Sequence, residues 1–286
     1  MDDKRGISLF HNKSFWTRVI TGGIILLLLA LIFIIGYDVM LIVLGRLALI
    51  GIWEIYRVKN LLWKPFAITG FIADICYYVL IRFYDWEYCS LYLVFLFAIL
   101  VIADIIIFIA KYPEYTLADL TGSVFTVIYV GVLLSFLYLA RVHAWGAYLV
   151  WLAMLASWGC DIFAYLGGML FGKHKIFPAI SPKKTLEGCI SGIVGAGILA
   201  FIYALIVNSI VEDITHEVII FPIVCMAGAV LGMFGDLFAS AIKRQAGIKD
   251  YSNILPGHGG IMDRFDSVIL VSPVIYAATI LMRIWH

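Results

Sequence analysis

Three aspartates near the C-terminus, Asp236, Asp263 and Asp266, could converge if the two helices that carry them are neighbours. In GDLFASAIKR, Asp236, Ser240 and Lys243 follow i, i+4, i+7, so a helix aligns them on one face. MDRFDS sets Asp263 and Asp266 at i, i+3, again on one face, where the last apolar run begins. Converging carboxylates in a low-dielectric setting repel, and they either take up protons or hold a cation. Hard oxygen donors favour magnesium or calcium, and magnesium commonly uses a few carboxylates together with substrate phosphates. Acids near a helix N-terminus are also common without any metal, so the spacing alone leaves both readings of Asp263 and Asp266 open.

Basic residues crowd the same stretch. Lys243, Arg244, Lys249 and Arg264 surround the acids, and GKHKIFPAISPKKTLEG at 172–188 adds Lys173, Lys175, Lys183 and Lys184. Lysine and arginine beside a carboxylate-bound metal suit a polyphosphate, because both kinds of counterion meet oxygens of one anion. PGHGG at 256–260 supplies a turn whose backbone can come close to a ligand. A run of lysines also follows from membrane topology alone.

The elements that must hold these residues are membrane helices. Of 286 residues, 64% are hydrophobic and 14% charged, against roughly 25% charged in soluble domains; the mean hydropathy is +1.04. Apolar runs near the ~20-residue spanning length recur at 17–36, 38–56, 65–84, 90–110, 120–140, 144–167, 189–208, 218–241 and 266–285. Backbone groups in lipid must bond within their own segment, which makes each run a helix. The predicted fold is an all-α, polytopic integral membrane protein with about nine transmembrane helices. Residues 1–143 form five scaffold spans, and 144–286 form the half carrying the candidate chemistry. The first run exceeds the apolar core of a secretory signal and is expected to stay as an anchor.

Sixteen of the twenty Lys and Arg residues fall on the N-terminal segment and alternate loops, among them Lys4, Arg5, Arg57, Lys64, Lys111 and all eight near the acids. Cytoplasmic loops collect such residues, so the N-terminus and the candidate site are expected in the cytoplasm and the C-terminus opposite. The net charge of +1 does not indicate a general polyanion binder, and no nucleic-acid partner is expected. Five scattered cysteines show no C-x-x-C spacing and read as small apolar residues. Acids inside spans are costly; for Asp74 and Asp104 a hydrogen-bonded or interfacial role is expected, and for Glu54 a structural pairing with Arg46 or Arg57. Gly188, Gly192, Gly195 and Gly197 would let the seventh span pack closely, within the chain or in a homodimer.

The order of these elements resembles a known signature. SAIKRQAGIKDYSNILPGHGGIMDRFD, residues 240–266, closely resembles that of the phosphatidate cytidylyltransferases, also called CDP-diacylglycerol synthases: a serine, Lys-Arg, Lys-Asp, His-Gly-Gly and Asp-Arg-x-Asp in sequence. The resemblance extends through GCDIFAYLGGMLFGKHK, SPKKTLEG and GDLFAS, covering the chain from about Trp158. Cys160 departs from the family's usual alanine. The resemblance implies that CTP and phosphatidate give CDP-diacylglycerol and pyrophosphate at a bacterial inner membrane. It assigns Asp236, Asp263 and Asp266 to Mg²⁺ or another divalent ion, with Asp161 as a fourth acid and a second, monovalent ion left open. It assigns Lys243, Arg244, Lys249 and Arg264 to neutralising triphosphate or lipid phosphate, with Lys173, Lys183 and Lys184 completing that surface. His258 would orient a phosphate or protonate departing pyrophosphate, and Ser240 would support Asp236. Phosphatidate already has a deprotonated oxygen, so charge neutralisation and alignment dominate the chemistry.

Two other classes explain part of the pattern. A cation-coupled transporter accounts for acids inside spans but predicts internal repeats, which are not evident. A CTP-dependent lipid kinase is the nearest enzyme alternative. The D-G-x-x-A-R string of CDP-alcohol phosphatidyltransferases is absent.

Overall fold

The computed structural model describes residues 13–83, 86–143, 145–211 and 216–284. These form nine helices: α1 (Lys13–Ile35), α2 (Tyr37–Val58), α3 (Pro65–Phe83), α4 (Trp86–Ala110), α5 (Leu117–Val142), α6 (Gly146–Phe171), α7 (Leu186–Asn208), α8 (Glu217–Gln245) and α9 (Met262–Ile284). Each answers to one of the nine apolar runs. Eight have the length and composition to cross a membrane over their described residues, and α1 contributes the apolar segment Ile20–Ile35. Arg46 does not break α2, which stays helical across it. The residues Lys4 and Arg5 lie outside the described part.

Two helices depart from regular winding. Val127–Val132 of α5 and Leu155–Gly159 of α6 form π-turns, which insert extra residues into a helix and are frequent at functional sites. The first carries Tyr129 and the second ends two residues before Asp161. At its other end α8 continues to Gln245, beyond the predicted 241, so Lys243 stays on the same helix as Asp236.

The two halves share one buried core. Phe33, Tyr56, Phe66 and Leu134 from the first half belong to the same cluster as Leu149, Phe221, Val268 and Ile275 from the second. Outward faces are apolar as lipid requires: on α4, Val94, Phe95, Ile99, Ile102, Ile106 and Ile109 are all exposed. Of the acids inside spans, Asp104 accepts from Thr69 Oγ1 at 2.6 Å, as expected of a bonded acid. Asp74 differs, because neither of its buried oxygens has a partner among the described residues.

The glycines of α7 are used within the chain. A Cβ on Gly188 would lie 2.8 Å from the Ala164 carbonyl, and one on Gly192 would lie 2.9 Å from the Cys160 carbonyl, both on α6. A Cβ on Gly197 would meet Met226 of α8 at 2.9 Å. Close backbone approach between small residues is how helices associate in lipid, where no hydrophobic drive separates protein from solvent. Gly192→Leu is therefore expected to force α6 away from α7 at a cost of about 1–3 kcal/mol or more. A lowered melting midpoint in detergent measures it.

Candidate active site

The signature segment is a loop folded between two carboxylates. Asp263, in the first turn of α9, accepts from the Tyr251 N–H (2.8 Å) and the Gly260 N–H (2.9 Å) through Oδ2. Its Oδ1 pairs with Lys243 Nζ at 2.6 Å. Glu54, fully buried on α2, accepts from Ser252 Oγ (2.5 Å), the Ile261 N–H (3.0 Å) and the Met262 N–H (2.7 Å). Expected partners Arg46 and Arg57 are not what Glu54 bonds. Burial turns it toward the donors that the incoming α9 leaves without intrahelical acceptors.

These contacts explain the last two glycines of PGHGG. Gly259 has φ +84, which glycine adopts without strain. A Cβ on Gly260 would collide with the Glu54 carboxylate. The loop is fixed further by the Tyr251 hydroxyl, which donates to the Ala239 carbonyl (3.0 Å), and by Arg264 Nε, which donates to the His258 carbonyl (2.8 Å). The Tyr251 phenol is pushed up from its ordinary pKa by burial and by the nearby carboxylates, so it stays a donor.

A second loop, 172–185, joins the site from the side. Glu187 accepts from the Lys173 N–H (3.0 Å), the His174 N–H (3.2 Å) and His174 Nδ1 (2.6 Å), while Thr185 caps α7 by accepting from the Gly188 N–H (3.2 Å). The loop thereby brings Lys184 Nζ to 2.5 Å from Asp236 Oδ2. Ser240 Oγ donates to the other oxygen of Asp236 at 3.3 Å.

Asp161 lies where two cavities meet. One, of about 350 Å³, is lined by Asp161, Tyr165, Met169, Lys183 and Lys184 between α6, α7 and α8. The other, of about 360 Å³, is lined by Asp161, His258, Asp263, Arg264 and Asp266, with Gly22, Ile25 and Leu26 of α1 forming an apolar wall. Leu26 and Ile162 are exposed on the outer surface beside this second cavity, so it opens toward lipid. Asp266 is buried and accepts from the Ser267 N–H at 2.7 Å through Oδ1. Asp161 accepts no hydrogen bond among the described residues, and the buried Nδ1 of His258 has no partner there.

The sequence-predicted residues thus divide. Asp161, His258, Asp263, Arg264 and Asp266 share one cavity, while Asp161, Lys183 and Lys184 share the other. Lys243 is tied to Asp263, and Asp236 to Lys184. Lys173 and Lys249 are exposed and line neither cavity. Arg244 reaches the Ile180 carbonyl at 3.5 Å, on the second loop. Among the described residues no three His, Cys, Asp and Glu side chains already form a metal cage. The donors still fit magnesium, which keeps few protein ligands and completes its shell with water and phosphate oxygens. Asp266 and Asp161 have carboxylate capacity free for this, whereas the oxygens of Asp236 are met by Lys184 and Ser240.

Two contributors, Glu54 and Tyr129, had no motif to reveal them, and Glu187 sits inside SPKKTLEG without having been singled out. Glu54 signalled only as an acid within an apolar run. Tyr129, on the π-turn of α5, packs edge-on against Phe238 (5.1 Å between ring centres), and its buried hydroxyl has no partner among the described residues.

Comparison with known proteins identifies the family. The model of the Cytidylyltransferase family matches residues 16–282. The chain is 30% identical over 265 residues to the phosphatidate cytidylyltransferase of Bacillus subtilis, covering 91% of this chain and 95% of that one. It is 38% identical over 166 residues to that of Thermotoga maritima, covering 58% and 61%. With that of Rickettsia bellii it shares 35% over 183 residues, covering 63% and 79%. A family match running from α1 to α9, over a chain whose signature loop is braced at both ends, places this protein in the cytidylyltransferase family.

Proposed function

We propose that this chain transfers the cytidylyl group of CTP to phosphatidate, giving CDP-diacylglycerol and pyrophosphate. The observation that carries the reading is Asp161 on the wall common to two cavities, with cationic side chains on both sides. The reaction joins two anions and expels a third. A phosphatidate oxygen bonds to the α-phosphorus of CTP while the bond from that phosphorus to the β-bridging oxygen breaks, and pyrophosphate leaves with the electron pair. No side chain has to remove a proton from an oxygen that is already ionised.

Arg264 and His258 line the lipid-facing cavity and suit the phosphatidate headgroup, whose acyl chains would follow Ile25 and Leu26 into the bilayer. Lys183 and Lys184 face the other cavity and suit phosphates of the nucleotide. Lys243, held by Asp263, adds positive charge beside the lipid-facing cavity. Asp266, Asp161 and Asp236 would hold a divalent ion, Mg²⁺ by donor type, which when bound supplies charge neutralisation at the phosphates. Asp263, with both oxygens engaged, serves chiefly as a brace. Residues 144–286 carry this chemistry, and 1–143 supply the scaffold together with Glu54. The basic-residue bias supports a cytoplasmic site and N-terminus with the C-terminus opposite, and the bacterial relatives support a bacterial inner membrane.

The test uses purified protein, phosphatidate, magnesium and CTP labelled at either the α or the γ position. Label from the α position is expected in the organic phase, and chelation of magnesium is expected to abolish it. Transfer of γ-label alone would identify a lipid kinase instead.

A further inference from the structure

A third cavity, of about 550 Å³, lies between the end of α2 and the loop after α8, within the size range of small-ligand sites. Its lining includes Arg57, Asn60, Asp250, Ser252 and Asn253, so it is built from both halves of the chain. Ser252 Oγ is committed to Glu54 (2.5 Å) and the Tyr251 N–H to Asp263 (2.8 Å), which fixes the floor. The side chains of Asn60, Asp250 and Asn253 make no hydrogen bond or ion pair among the described residues, and Arg57 rests over the Trp53 ring at 5.6 Å. One carboxylate, two carboxamides and a guanidinium, all solvent-exposed, therefore face a single hollow. Asp250, like Arg244 and Lys249 of the signature segment 240–266, lines neither cavity around Asp161.

We infer that this cavity receives the pyrimidine base of the nucleotide and selects cytosine. The inference rests on the cytidylyl-transfer reading and adds where the base sits. Cytosine presents an exocyclic amine beside two acceptors, N3 and O2. A carboxylate accepts from that amine, and a carboxamide N–H donates to N3 or O2. Uracil carries an oxygen where cytosine carries the amine, and that oxygen would face the Asp250 carboxylate. Neither Asp161 cavity contains Asn or Gln, and the carboxylates and cations that line them are the groups assigned above to the ion and the phosphates. Position agrees as well. Tyr251 lines this cavity while its N–H bonds Asp263, which lines the lipid-facing cavity, so the two hollows are separated by this one hydrogen-bonded pair.

The test compares CTP with UTP on the full chain in detergent, first by binding without phosphatidate and then by initial rates with it. Asp250→Asn is expected to raise the KM for CTP about 10- to 100-fold, the worth of a hydrogen bond to a charged group, and to cut the preference for CTP over UTP similarly. The kcat should stay within about twofold, because an interaction equal in ground and transition states moves KM alone. Asn253→Ala should raise KM in the same direction, and it serves as the second variant should Asp250→Asn fold poorly. Wild-type protein that binds CTP and UTP equally, or an unchanged KM and selectivity in the folded variants, would overturn the assignment. Should wild-type protein bind CTP selectively yet move no α-label into lipid, the transfer reading fails while the base site stands.

Discussion

Glu54→Gln will abolish most activity although the residue lies in the half of the chain with no catalytic motif. The carboxylate accepts from three donors at once, two of them the Ile261 and Met262 amides at the start of α9. An amide in its place turns an N–H₂ toward donors that are already pointing inward. Each buried donor left unmet costs about 1–3 kcal/mol. The signature loop therefore loosens first, and Asp263 with Lys243 moves with it. The expected result is a fall in kcat of about 100-fold or more, since small displacements of positioned groups carry losses of that size. Melting in detergent should drop as well. Gly260→Ala should reproduce the defect, because its methyl group would occupy the space of the Glu54 carboxylate. Full activity in both variants would show that the loop does not need this brace.

The second large effect separates two neighbouring acids. Asp266→Asn is expected to lower turnover about 10²–10³-fold, the scale of losing one charge-stabilising group in an active site. Its melting midpoint should stay near wild type, because the asparagine carbonyl oxygen can still accept from the Ser267 N–H. Asp263→Asn should lose activity and stability together: Oδ1 is paired with Lys243, and Oδ2 holds the Tyr251 and Gly260 amides. The paired measurement is turnover against melting midpoint for each variant. Should Asp266→Asn retain near-normal turnover, the carboxylate centre proposed here is wrong, whatever Asp263→Asn does.

Much of the fold was legible because lipid restricts the choices. A run of about 20 apolar residues has one stable form in a bilayer, and nine runs gave nine helices. The convergence of α8 and α9 was also legible, since Asp236 and Lys243 share a face and Asp263 opens the next helix. What each acid touches was not. Spacing along one helix points Glu54 to Arg57, yet its partners are Ser252, Ile261 and Met262, about 200 residues away in sequence and reached only through packing. Two of these three donors are backbone amides, which every residue type presents alike, so no pattern of side chains announces them. Lys184 was recognisable as a cation near the site, but its pairing with Asp236 depends on how Glu187 folds the loop before α7. The α7 glycines suggested close packing while leaving the partner open, and α6 and α8 proved to be that partner.

The π-turns of α5 and α6 bear on how a chain of this kind can change length. Each residue added to or taken from a regular helix rotates everything beyond it by about 100°. A deletion among the regular turns of α6 before Leu155 would therefore swing Asp161 off the wall between its two cavities, whereas the wider winding at Leu155–Gly159 already absorbs an extra residue and could lose one with the register kept. Among descendants of such a sequence, changes of length should be purged from the regular turns and accumulate in the connecting segments, with these two windings the places within a span that tolerate them.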